Sequence, residues 1–164
     1  MKTLALLLTL AMLSGCSRKR YNDLPRGPGL SARFDLRRAA LAGSIAAVSG
    51  ASWGLHETAV HHPSRLPAGW NRQWWDARVS WTNKYRRADP AAGPAYLGST
   101  TFLAWTTDAK HLFGTAHRAT LFGAALVIGL GERRPAWHYL LDAGISFVAF
   151  SAGFHGVYSI AFQP

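Results

Sequence analysis

The chain has 164 residues, with seven Trp, eight Phe, five Tyr and sixteen Gly, and its 18 Lys and Arg against 8 Asp and Glu leave a balance of +10. That length suffices for one domain with a core, and a single cysteine excludes an intrachain disulfide. The arginines are scattered among tryptophans and apolar runs, which sets nucleic acid aside and points to anionic lipid headgroups as the counter-charge.

In chain order, Lys2 precedes eleven uncharged residues, Thr3 to Leu13, and then Leu13-Ser14-Gly15-Cys16. A positive start, a short apolar core and small residues before a cut site make an export signal rather than a membrane span. The Leu-Ser-Gly-Cys ending resembles the lipobox of bacterial lipoproteins. That resemblance implies diacylglycerol on the Cys16 thiol, cleavage before Cys16 and acylation of its new amino group. Residues 1–15 are then a signal peptide. Residues 16–30 form a tether, because Ser-Arg-Lys-Arg is a charge run and Leu24-Pro-Arg-Gly-Pro-Gly-Leu30 admits no helix. Residues 31–164 remain for a single α-helical domain.

The first helix is predicted from Ser31, as N-cap, to about His61. Its uncharged stretch Ala39–Leu55 is seventeen residues long and rich in Ala, Gly and Ser. It spans a bilayer beside other helices or packs tightly in a core. Glu57 and His61 share a face, and Pro63 stops the helix. His56, Glu57, His61 and His62 invite a metal reading, but His56 and His61 are five apart and the zinc-protease spacing is absent.

From Pro67 to Pro90, Trp70, Trp74, Trp81 and Tyr85 fall within about 60° on a helical wheel, with Arg78 near the same stripe. This predicts a basic amphipathic helix whose aromatic face lies in the headgroup layer or packs on the protein's own core. The segment from His61 to Gly98 carries Arg65, Arg72, Arg78, Lys84, Arg86 and Arg87 against Asp76 and Asp89. If Ala39–Leu55 crosses the inner membrane from an external Cys16, this segment lies in the cytoplasm, as the positive-inside rule expects. An outer-membrane location removes that argument.

The stretch Ser99–Arg118 reads as helix, with Asp108, His111, Thr115 and Arg118 forming a polar stripe on a largely apolar rod. The helix is expected to run from Thr100 to Gly131, turn at Glu132-Arg-Arg-Pro135, and pair as a hairpin with a last helix, Ala136 to Phe162. His138 and Asp142 lie four apart on that last helix. The fold class is therefore all-α: a membrane-associated bundle of about four helices, two or three of them embedded.

Trp81-Thr-Asn-Lys-Tyr-Arg86 and Gly98 to Phe113 together resemble a block found in uncharacterised small bacterial membrane proteins. More remotely, Asp108…His111 followed by two small-residue helices is similar to YfiM-type periplasmic lipoproteins and VanZ-like membrane proteins. Those relatives space the Asp and His four apart, where Asp108 and His111 are three apart. The resemblance implies a place in the cell envelope and a helical architecture, without an assigned reaction.

Three functions follow as expectations. The first is a non-catalytic envelope lipoprotein without a cofactor, bound to membrane lipid through Cys16 and through Trp70, Trp74, Arg78, Trp81 and Tyr85. Its helices would pack through Asp108/His111 against His138/Asp142. The second is a metal-dependent membrane hydrolase. A divalent ion drawn from His56, His61, His111, His138 and His155 with Asp108 or Asp142 would activate water, and Glu57 would be the general base. The third is a module binding lipid or a cell-wall precursor through the basic Trp segment.

Overall fold

The computed structural model describes residues 34–130 and 133–162, which fall in one unit, Phe34–Pro164. Ser31, Cys16 and Glu132 lie outside the described residues. Among the described residues the fold is all-α with no strand. The first helix, α1 (Leu36–His61), is capped by Asp35 rather than by Ser31: the Asp35 carboxylate accepts from the Arg37 and Arg38 amides. An ionised Asp at this position satisfies two free N–H groups, which explains the start. At the other end His62 closes the last turn on Thr58, and Pro63 follows.

α1 is the axis of the bundle. Its buried positions are Ala39, Ala42, Gly43, Ala46, Ser49, Gly50, Ser52, Gly54, Thr58 and Ala59, all small. Small side chains let two further helices approach closely along its length. They are α4 (Ala109–Gly129), antiparallel to α1, and α5 (Ala136–His155), parallel to it and continued by a π-helical stretch, Gly156–Ala161. Gly50 shows how close α5 comes: a Cβ there would stand 2.0 Å from the Phe150 carbonyl oxygen. Gly153 is the reciprocal case, at 2.1 Å from the Ala47 oxygen. The expected hairpin therefore takes another form. The two later helices pack chiefly on α1, with few contacts between themselves.

The Trp segment is not one helix. It breaks into α2 (Arg72–Trp75) and α3 (Ala77–Ser80), followed by single 3-10 turns at Trp81–Lys84, Arg86–Ala88 and Pro90–Ala92. Asp76 causes the first break. Its backbone is extended, and its carboxylate accepts from the Arg78 amide, so it starts α3 instead of continuing α2. Short polar side chains that bond nearby backbone compete with the helix in this way. Farther on, Arg87 and Ala88 adopt left-handed backbone, which costs roughly 1–2 kcal/mol per residue and which no regular helix contains. A single antiparallel bridge, Tyr85 to Pro94, closes that loop.

The helix expected from Thr100 begins only at Ala109. Ahead of it, Thr106 and Thr107 turn their hydroxyls onto the Leu103 and Ala104 carbonyls, and Asp108 is extended. The polar stripe is thus split: Asp108 is the N-cap, and His111, Thr115 and Arg118 lie on the helix it starts.

Candidate functional site

The ionisable residues gather at the two ends of the bundle. At the end where α4 begins, buried Asp108 accepts from the His111 amide at 2.8 Å and faces His111 Nδ1 at 2.8 and 2.9 Å. One carboxylate therefore caps α4 and orients an imidazole. Nearby on α1, Glu57 stands 3.6 Å from His56 Nδ1 and 3.4 Å from His61 Nε2, using a different oxygen for each. The i,i+4 relation of Glu57 and His61 expected from spacing is present. His56 lies flat on Trp53, ring centroids 4.6 Å apart. His155, at the end of α5, faces the Ser159 hydroxyl at 3.1 Å.

At the opposite end Asp142 is fully buried. Arg38 Nε donates to its Oδ2 at 2.9 Å, and Arg134 Nη1 donates to the same oxygen at 3.1 Å. Arg134 Nη2 also donates to the Ile128 carbonyl, tying the end of α4 to the start of α5. His138 is buried between the Phe34 and Trp137 rings and has no hydrogen bond to Asp142.

This arrangement corrects the expected packing of Asp108/His111 against His138/Asp142. The two pairs sit at opposite ends of α4, whose 21 residues at 1.5 Å rise span about 30 Å. Asp142 takes its partners from arginines instead. Among the described residues no three His, Cys, Asp or Glu side chains gather to hold a metal ion. The candidate ligands His56, His61, His111, His138 and His155 are divided between the two ends; His111 meets Asp108, but no second histidine joins that pair, and none hydrogen-bonds to Asp142.

Between the ends, Ser49 and His117 join α1 to α4. The Ser49 hydroxyl donates to the His117 carbonyl at 3.0 Å and lies 2.9 Å from His117 Nδ1. Ser49 is fully buried, so this pair is a cross-link rather than an exposed nucleophile.

The membrane-interface candidates are also rearranged. Trp70 packs on Trp75 at 4.2 Å, and Trp81 meets Tyr85 edge-on at 6.2 Å, so they form two clusters and not one stripe. Trp74 is half-buried on α2. Arg72 and Arg78 meet on Asp76: both Nη2 atoms lie 2.9 Å from its Oδ2, and Arg78 Nε donates to Oδ1 at 3.0 Å. The Arg78 guanidinium bonded to Asp76 holds this carboxyl well below the usual carboxylate range. Arg72 adds to the effect, and burial opposes it. The same pair raises the Arg78 pKa.

Sequence reasoning missed Arg38, Arg134, Ser49 and the Arg72–Asp76–Arg78 cluster. Asp142 within an apolar helix did signal that a cation must face it, because an unpaired buried carboxylate is costly. Nothing local indicates that Arg38, 104 residues away, is that cation.

The chain matches no protein-family model, no curated protein and no solved structure.

Proposed function

We propose that this chain is a lipid-anchored membrane protein of the bacterial envelope, with a structural or interaction role rather than a catalytic one. Fatty acids on Cys16 and the helices α4 and α5 would hold it in the bilayer. The observation that carries this reading is an inverted distribution of side chains. The largest fully buried side chains are Thr58, Asp108, Asp142, Ser49, Ser80 and Ser99, while Leu121, Phe122, Leu126, Leu140, Phe147 and Val148 are exposed. Water would drive the large apolar groups inward, whereas hydrocarbon accepts them outside and leaves small and polar groups to join the helices.

Among the described residues two elements are long and apolar enough to cross a membrane, Ala109–Gly129 and Ala136–Ala161. Only 11% and 6% of their most apolar windows are buried. The Leu13-Ser14-Gly15-Cys16 sequence supports the anchor. Two of the buried carboxylates support a non-catalytic role, since Asp142 and Asp76 are each held by two arginines.

The test has two arms. The intact mass of mature protein should show a diacylglyceryl-modified chain starting at Cys16; an unmodified chain starting at Met1 rejects the anchor. A Cys16→Ala form should still float with liposomes, and its full release into the soluble fraction rejects the embedded helices.

A further inference from the structure

At the end of the bundle covered by the segment 62–108, a cup of about 380 Å³ opens beside the paired arginines. Pro63, Leu66, Pro67, Trp70 and Trp75 form much of its wall, and Arg72 and Asp76 complete it; Arg78 lies outside this lining, held beside Arg72 by the shared Asp76. The indoles are fixed from behind. Trp75 stacks on Phe113 of α4 at 5.5 Å, and Trp70 meets Phe162 edge-on at 5.8 Å. The cup is therefore pinned to two of the three long elements rather than carried on a free loop.

Its charged side is equally fixed. The Asp76 side chain is 3% exposed, yet it gathers two guanidinium groups whose side chains are 77% and 63% exposed. A staple for the fold needs the buried carboxylate, but not two cations in solvent around it. One anion against two cations leaves a local surplus of one positive charge. The rest of the segment His61–Gly98 adds to it, with Arg65, Lys84, Arg86 and Arg87 against Asp89. Each guanidinium has five N–H donors. Arg72 donates with Nη2, and Arg78 with Nε and Nη2, to Asp76. Each guanidinium keeps N–H donors beyond those given to Asp76, and guanidinium N–H groups pair well with phosphate oxygens. Indole faces beside them carry negative quadrupole and take the C–H face of a polyol.

We propose that this cup and its rim bind a phosphate ester of a polyol, with the phosphate on Arg72 and the adjoining Arg78 and the polyol against Trp70. A glycerophospholipid headgroup and a soluble polyol phosphate share this chemistry. The lipid source rests on the membrane reading above, whereas the chemistry of the cup does not.

The test uses the full chain in detergent micelles, titrated with glycerol 3-phosphate, inorganic phosphate and glycerol, and read by tryptophan fluorescence. Glycerol 3-phosphate should saturate, inorganic phosphate should bind more weakly, and glycerol should not bind. Arg72→Lys with Arg78→Lys keeps the charge but loses the guanidinium groups, and should weaken binding by about tenfold. Trp70→Ala should reduce glycerol 3-phosphate to the affinity of inorganic phosphate. Absence of saturable binding overturns the proposal, and so does unchanged binding by the Lys pair.

Lipid nanodiscs then separate the sources. Competition by phosphatidylglycerol and not by phosphatidylcholine identifies a headgroup, while no competition beside intact micellar binding identifies a soluble ester. Release of the Cys16→Ala form from liposomes with micellar binding intact would reject the membrane reading and keep the cup.

Discussion

Arg38 and Asp142 meet at 2.9 Å across 104 residues of sequence, tying the first turns of α1 to α5 around a fully buried carboxylate. Arg134 completes the group from the α4–α5 connection. Removing one partner of a buried ion pair leaves an uncompensated charge and typically costs about 3–5 kcal/mol. Asp142→Ala should lower the thermal unfolding midpoint of the detergent-solubilised protein sharply, because two arginines lose their anion together. A midpoint within a degree of the parent would show that the cluster contributes nothing net.

The close approach of α1 and α5 makes a second prediction. Gly50→Ala places a methyl group 2.0 Å from the Phe150 carbonyl oxygen, so one helix must shift. Overpacking of this kind typically costs about 1–3 kcal/mol. Gly43→Ala meets its nearest atom, the Ile145 side chain, at 3.4 Å and should be nearly neutral. Unfolding in a series of increasing denaturing-detergent fractions compares the two. Equal losses would mean that the helices do not pack at the distance described.

Asp76 ties the segment around the cup to pH. Its carboxyl has a lower pKa in the folded chain than in the unfolded one, chiefly because Arg78 bonds its ionised form. Such a group stabilises the fold at any pH above the ordinary carboxylate value, and the contribution fades as pH falls below it. The stability of the parent against denaturant, followed by tryptophan fluorescence, should therefore begin to decline as pH drops below about 4 and continue to fall toward the much lower pH at which the folded carboxyl protonates. In Asp76→Asn the stability should already be lower at neutral pH and depend less on acid in that window. Superimposable acid profiles would remove Asp76 from the account.

Asp108 has two tasks that substitution separates. Asp108→Ala removes the N-cap of α4 and should cost about 1 kcal/mol, within the usual 0.5–2 range. Asp108→Asn keeps an acceptor for the His111 amide but removes the charge beside its ring. Amide exchange in the first turn of α4 should accelerate in the Ala variant and stay near the parent in the Asn variant. Acceleration in both would mean that the ion pair with His111, and not the cap, holds this turn.

The sequence by itself determined the class of this fold, the end of α1 and the start of α5. The apolar runs, Pro63 and Pro135 are local signals, and these two boundaries follow from them without knowledge of partners. It also indicated that Glu57 and His61 would meet, since four residues on a helix bring side chains to one face. Where local chemistry competes with periodicity the reading failed. Asp76, Arg87 and the threonines before Asp108 break helices that the spacing of apolar residues had implied, because their side chains or backbone angles satisfy other demands.

Only the tertiary structure decided which charges meet. Arg38 reaches Asp142 because small residues let α5 lie parallel and close to α1, and Arg72 reaches Arg78 because Asp76 ends one helix and starts another. Partners chosen by packing between distant elements leave no trace in local spacing, and the Arg38–Asp142 pair is of that kind; Arg72, Asp76 and Arg78 are near in sequence, and what hid their meeting was the break that Asp76 makes in the helix.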